Sequence, residues 1–337
     1  MANPNYSKNQ SSSYESDCKA IYESWGRLST MVQTLATRST QAERREIRET
    51  YKAMYNEDLL SHLQRVKMML SGKSSNEETK FSVATCEALL LWMVDPWERD
   101  ACFAKNSLEE NETDFKALVE IFVGRKSSHI LMIKQAYQNR FKRQLDHDIV
   151  NLEPPHPCQK ILVALATSHQ AHNVDVSQDI AKCDAMRLYQ TGEASSGCIN
   201  QAVVLEILSK RSIPQLKLTF SSYKRIFGHS YTKQLKKVNS TQFEDSLRNL
   251  VDCIQDPPKY YAKMLQSCMM KGEDTNNGSL TRLMVSRAEI DMGDIQKVFR
   301  KKYGVELRDT ICQAIPEGDY RVFMLALANN ANSGSFN

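Results

Sequence analysis

The sequence predicts an all-α protein made of four copies of one helical module, and three observations carry that expectation. Gly (12) and Pro (9) are scarce among the 337 residues, while Leu, Met, Glu, Lys and Arg, which favour helix, dominate. Four apolar runs each close on an arginine: TMVQTLATR at Arg38, ALVEIFVGR at Arg125, VVLEILSKR at Arg211 and LTRLMVSR at Arg287, a spacing of roughly 80 residues. An aromatic pair at i, i+4 follows each arginine: Tyr51 and Tyr55, Tyr137 and Phe141, Tyr223 and Phe227, Phe299 and Tyr303.

Taken in order, residues 1–16 are rich in Ser, Asn and Tyr and read as a disordered tail, since they bury too little to offset ordering. The first module spans 17–96, the second 97–172, the third 173–257 and the fourth 258–329, and 330–337 is a frayed end. In each arginine-terminated run, apolar residues lie seven and three positions before the arginine, which is one helix face. A guanidinium there suits the carbonyls and the negative end of a helix, so the four arginines read as structural. Each module then carries a further apolar helix: EALLLWMV (87–94), QKILVALATSHQ (159–170), FEDSLRNLVDCI (243–254) and YRVFMLALA (320–328). Asp95-Pro96-Trp97 and Asp256-Pro257-Pro258 close the first and third modules, because proline stops one helix and fits the first turn of the next. Their matching text suggests that a pair of modules was itself duplicated. The stretch LSGKSSNEETK (70–80) has the composition of a solvated loop.

Composition narrows the function. A net charge of +4 suits an anionic surface and is too small to argue for nucleic acid. Nine cysteines without a C-x-x-C pair indicate neither a disulfide framework nor a zinc site. No apolar run reaches the length needed to span a bilayer, and the polar N-terminus lacks a signal-peptide core. A cytoplasmic protein is the expectation.

With these residues laid out, the chain resembles the annexins, and among them the plant type. WMVDPWERDACFAKNSL, DPPKYYAKML, LTRLMVSRAEIDMGDIQKVF and EGDYRVFMLALA carry the resemblance, which covers essentially everything but the two tails. It implies four annexin-type repeats of about five helices each, packed as a curved disc. It also implies calcium-dependent attachment to anionic phospholipid through loops on the convex face.

The family's loop, M-K-G-x-G-T, turns backbone carbonyls outward at glycines, and a carboxylate about 42 residues downstream completes the calcium site. The fourth repeat is the best copy: carbonyls of Met270, Gly272 and Asp274 fall at liganding positions, with Asp274 in place of the second glycine. Downstream, Gln313 to Tyr320 carries one extra residue, and Glu317 is the acid placed to complete the site. The first repeat has Trp25-Gly26-Arg27 without the family's acids, and so is expected to hold no calcium while offering Trp25 and Arg27 to lipid headgroups. Lys271 joins them as a lipid contact. The second repeat (Glu110-Asn111-Glu112-Thr113) and the third (which keeps only Gly192 in TGEAS) are expected to be silent as metal sites.

Catalysis is not expected. The histidine that some plant members carry before the first repeat's arginine is Thr37 here, and a proposed redox cysteine pair is reduced to Cys253, with Val123 at the other position. His169 and His172 lack further metal-ligand partners, and no phosphate-binding glycine loop is present. The expected function is therefore that of a peripheral protein on anionic phospholipid whose calcium affinity is reduced or lost. The alternative is an annexin-fold interaction module, partnered for instance by other annexins, with no lipid role of its own.

Overall fold

The computed structural model of the chain describes residues 4–24, 26–72, 77–109, 113–153, 156–168, 176–192, 199–236, 242–270 and 277–330. Among the described residues there are twenty helices and no strand, five helices in each quarter of the chain. The first five are α1 (Pro4–Glu23), α2 (Leu28–Leu35), α3 (Gln41–Tyr55), α4 (Leu59–Ser71) and α5 (Glu77–Met93). The second are α6 (Pro96–Glu109), α7 (Phe115–Gly124), α8 (Ser127–Phe141), α9 (Leu145–Val150) and α10 (Pro157–Ser168). The third are α11 (Gln178–Gln190), α12 (Gln201–Lys210), α13 (Ile213–Phe227), α14 (Tyr231–Leu235) and α15 (Gln242–Gln255). The fourth are α16 (Pro257–Met269), α17 (Asn277–Arg287), α18 (Met292–Tyr303), α19 (Leu307–Ala314) and α20 (Asp319–Asn330).

Local chemistry sets many of these boundaries. Thr40 and Glu43 form a reciprocal capping box at the start of α3, and Asp58, Ser177, Asn200, Ser212 and Ser230 accept from the first turns of α4, α11, α12, α13 and α14. The two Asp-Pro junctions work as expected, with α6 and α16 opening on Pro96 and Pro257. Each third helix ends on a left-handed residue: Asn56, Lys142, Gly228 or Gly304. The aromatic pairs sit in those third helices with near-identical geometry, their centroids 5.0, 5.0, 4.9 and 4.9 Å apart. Tyr51, Tyr137, Tyr223 and Phe299 are the buried members.

The structure corrects three expectations. First, α1 starts at Pro4, inside the stretch read as a disordered tail. Tyr14, Cys18 and Ile21 share one buried face, and the Arg38 guanidinium lies 4.8 Å from the Tyr14 ring centroid. Second, the stretch 70–80 is not a loop throughout, because α4 continues to Ser71 and α5 begins at Glu77; residues 73–76 lie outside the described residues.

Third, the terminal arginines are structural, as expected, but the partners the sequence did not indicate are aspartates, with which they form ion pairs. Arg125 donates through Nε and Nη2 to both oxygens of Asp100 on α6, at 2.5 and 3.1 Å. Arg211 does the same to Asp184 on α11, at 2.6 and 3.2 Å, and Arg38 pairs with Asp17 on α1. In the fourth repeat the aspartate position is Tyr261. Arg287 there lies 4.2 Å from that ring's centroid and donates to Asp291 instead, at 2.8 and 2.5 Å. Burial alone would raise the Asp100 carboxyl, but the Arg125 charge, the adjacent His129 ring nitrogen and the Arg125 hydrogen bonds overcome it and hold the group well below the usual carboxylate range.

The helices gather into two compact units, one of residues 1–96 with 261–337 and the other of 97–260. In unit 1, α2 and α5 of the first repeat pack with α17 and α20 of the fourth; in unit 2, α7, α10, α12 and α15 play the same part. Repeat 1 is thus paired with repeat 4 and repeat 2 with repeat 3, across the sequence halves that the matching junctions suggest.

Candidate functional site

Hydrogen bonds and ring contacts bring several turns of unit 1 to one end. Tyr320, near the start of α20, donates to the carbonyl of Asn277 at the start of α17 (3.0 Å) and shares a 2.7 Å hydrogen bond with the Thr281 hydroxyl. Burial raises the Tyr320 hydroxyl above its ordinary range, so it stays a donor. The Phe81 ring near the start of α5 lies 5.9 Å from the Tyr320 ring. Gly26, just ahead of α2, has φ +86°, and an added Cβ would lie 3.4 Å from Val66 near the end of α4. The left-handed backbone favours glycine at this turn, while the distance to Val66 is ordinary van der Waals contact. Residues 26–27, 72 and 315–318 therefore lie at or beside the turns that share this end, and Met270 closes the helix that precedes α17 in the chain.

Replacing Tyr320 with Phe is expected to take the partner from the buried Thr281 hydroxyl and the additional donor from the Asn277 carbonyl. The expected cost is about 1–3 kcal/mol, read as a drop in midpoint on chemical denaturation.

Of the seven site residues expected from sequence, three are described: Arg27 and Glu317 lie at turns of this end, and Met270 closes α16. Arg27 is exposed, and Met270 is 71% exposed, its N–H closing the last turn of α16 on Gln266 (3.0 Å). Glu317 is exposed, and its carboxylate pairs with Arg321 at 2.7 Å. Arg321 is also held by the carbonyls of Cys312 (3.2 Å) and Ile315 (3.5 Å), so Glu317 is tied to an anchored cation. Trp25, Lys271, Gly272 and Asp274 lie outside the described residues, as do 110–112, His169 and His172. In the third repeat Gly192 is buried just past α11.

Among the described residues no three His, Cys, Asp or Glu side chains gather as a metal cluster. A calcium ion fits the chemistry of the expected set all the same, because a carboxylate and backbone carbonyls are hard oxygen donors, and the described members Met270 and Glu317 are water-accessible. Arg321 competes with such an ion for Glu317. No helix among the described residues is long and apolar enough to cross a membrane.

Sequence reasoning passed over Met68 and Met69 in the last turn of α4. Apolar residues in a helix ordinarily count as core, yet these are 74% and 61% exposed. The Glu317–Arg321 pair was legible as an i, i+4 spacing of opposite charges.

A protein-family model described as Annexin matches residues 99–153, 183–250 and 260–327, stretches that fall on the second, third and fourth sets of helices. Annexin A3 of Mus musculus is 35% identical over 314 residues, covering 92% of this chain and 92% of that protein. Annexin-like protein RJ4 of Fragaria ananassa is 29% identical over 314 residues, covering 92% and 94%. The solved structure of annexin III matches with a TM-score of 0.77 at 32% identity, over 94% of this chain and 93% of that one.

Proposed function

The chain belongs to the annexin family, known for calcium-dependent phospholipid binding, and from that premise we propose that it is a peripheral protein on anionic phospholipid whose calcium dependence is reduced. The single observation that supports the reduction is the Glu317–Arg321 ion pair. A calcium ion held by Met270, Gly272 and Asp274 shares Glu317 with Arg321, whose guanidinium engages one of the two carboxylate oxygens and is also held by two carbonyls. Asp274, standing where the family has its second glycine, adds to the cost of closing the turn. When bound, the ion supplies a positive bridge between the loop and lipid phosphate.

Without the ion, attachment falls to Trp25, Arg27 and Lys271. Each cation near an anionic leaflet contributes about 1 kcal/mol, so the two together give weak, salt-sensitive binding.

The same ion pair favours a second reading, an annexin-fold interaction module without a lipid role. Pelleting with phosphatidylserine vesicles, in calcium and in chelator, separates the two. The first reading expects protein in both pellets, with calcium raising the bound fraction and Arg321→Ala enlarging that calcium increment. Absence of the protein from both pellets would leave the interaction module as the reading.

A further inference from the structure

Two helices of the first repeat are longer than their counterparts. The fourth helix of the other repeats has 6, 5 or 8 residues (α9, α14, α19), whereas α4 has 13. The fifth has 12, 14 or 12 residues (α10, α15, α20), whereas α5 has 17. These two helices pack against each other as a hairpin. The excess lies at the end where the turns of unit 1 meet. Phe81, in the second turn of α5, contacts the ring of Tyr320 in the first turn of α20, so α5 starts most of a turn beyond it, about 5 Å.

Met68 and Met69 stand near the tip of this arm. Met68 is the most exposed large apolar residue among those described. Arg27 is exposed at the foot of the arm, where the Gly26 turn meets Val66. In the sequence of the arm's turn, residues 71–80, Lys73 and Lys80 balance Glu77 and Glu78, so the stretch carries no net negative charge to oppose an anionic surface.

We infer that the α4–α5 arm inserts Met68 and Met69 at the headgroup–acyl boundary of an anionic bilayer and anchors the protein there without calcium. The inference rests on the phospholipid reading above. Three features point to a bilayer rather than a shaped protein partner. The methionines protrude instead of lining a groove, they extend the same end as the expected lipid contact Arg27, and an unbranched thioether adapts to a fluid medium. Amphipathic anchors seat their apolar groups about 5–10 Å into that boundary, a depth comparable with the reach of the arm.

The test uses the full chain and vesicles of phosphatidylserine and phosphatidylcholine in chelator. The double variant Met68→Ser, Met69→Ser is expected to lower the partition coefficient at least tenfold at an unchanged melting temperature, while Met68→Leu, Met69→Leu retains binding. A Met68→Trp variant is expected to shift its emission to the blue on vesicle addition and to be quenched by brominated acyl chains. Wild-type-like binding by the serine variant, or emission of the Met68→Trp variant untouched by brominated lipid, overturns the insertion while leaving the phospholipid reading in place. Failure of the wild type to bind with or without calcium overturns that reading and this one together. A dimer that the serine variant splits, with vesicle binding unchanged, reassigns the methionines to self-association and also overturns the insertion.

Discussion

Replacing Asp100 with Ala is expected to destabilise the protein by about 3–5 kcal/mol, the usual effect of removing one partner from a buried ion pair. The magnitude follows from burial on both sides: Asp100 is 1% exposed and Arg125 only 9%. The Arg125 guanidinium loses its charge partner with little exposure to water, and His129 Nε2, 3.4 Å from the carboxylate, loses its neighbour as well. Asp184→Ala is the internal control. Arg211 is 27% exposed, so its charge relaxes into solvent and the expected cost falls to about 1–2 kcal/mol. Urea denaturation of the two variants under one set of conditions gives both numbers, and equal losses would refute the burial argument.

The same pair sets an acid response. The folded-state carboxyl of Asp100 lies below its unfolded value. Its contribution is therefore fully present above the unfolded pKa of about 4 and is lost as pH falls toward the folded one. Asp100→Asn removes that contribution. The stability gap between wild type and Asp100→Asn is expected to be widest near neutrality and to narrow below about pH 4. A gap that widens with acid would contradict the direction of the shift.

Arg44→Ala is expected to cost a similar amount, about 3–5 kcal/mol, because it combines a lost buried charge partner with a cavity. Arg44 is 1% exposed in the first turns of α3, and its guanidinium lies 4.0 Å from the centroid of the buried Trp92 ring. It donates to the carbonyls of Arg38 (3.1 Å) and Ser39 (3.0 Å), and to Glu289 of the fourth repeat at 2.6 Å. The matching positions of the other third helices hold buried Ile130, Leu216 and Met292. The arginine is thus specific to the place where repeat 1 meets repeat 4 inside unit 1. Arg44→Leu fills the cavity without the polar contacts and is expected to recover part of the loss, whereas Glu289→Ala costs less because Glu289 is 24% exposed. Calorimetric unfolding of the three variants checks the order.

Much of the architecture was legible in the residues because helix periodicity and capping are short-range. Arginines and aromatic pairs at fixed offsets marked the repeats, and the Asp-Pro junctions marked where α6 and α16 begin. The aspartate partners were harder to see. Asp17, Asp100 and Asp184 sit on the first helix of each repeat and their arginines at the end of the second or just past it, separated by a turn whose length differs between repeats. Local periodicity contains no relation across such a gap. At the candidate site, Met270 and Glu317 could be named from the loop pattern, but the anchoring of Arg321 on two carbonyls of α19 and its C-cap depends on how the chain turns there.

By itself the sequence determined the helical class, the fourfold repeat, the family resemblance and the erosion of the family's loop pattern, since each depends on residue types within a few positions of one another. Tertiary structure alone decided that repeat 1 pairs with repeat 4, that Arg44 is buried against Trp92, and that Met68 and Met69 face outward. The four repeats offer similar apolar faces, so the choice of neighbour lies in the fit of whole surfaces. The same fit settles which apolar side chains of a long helix are covered and which stay in water.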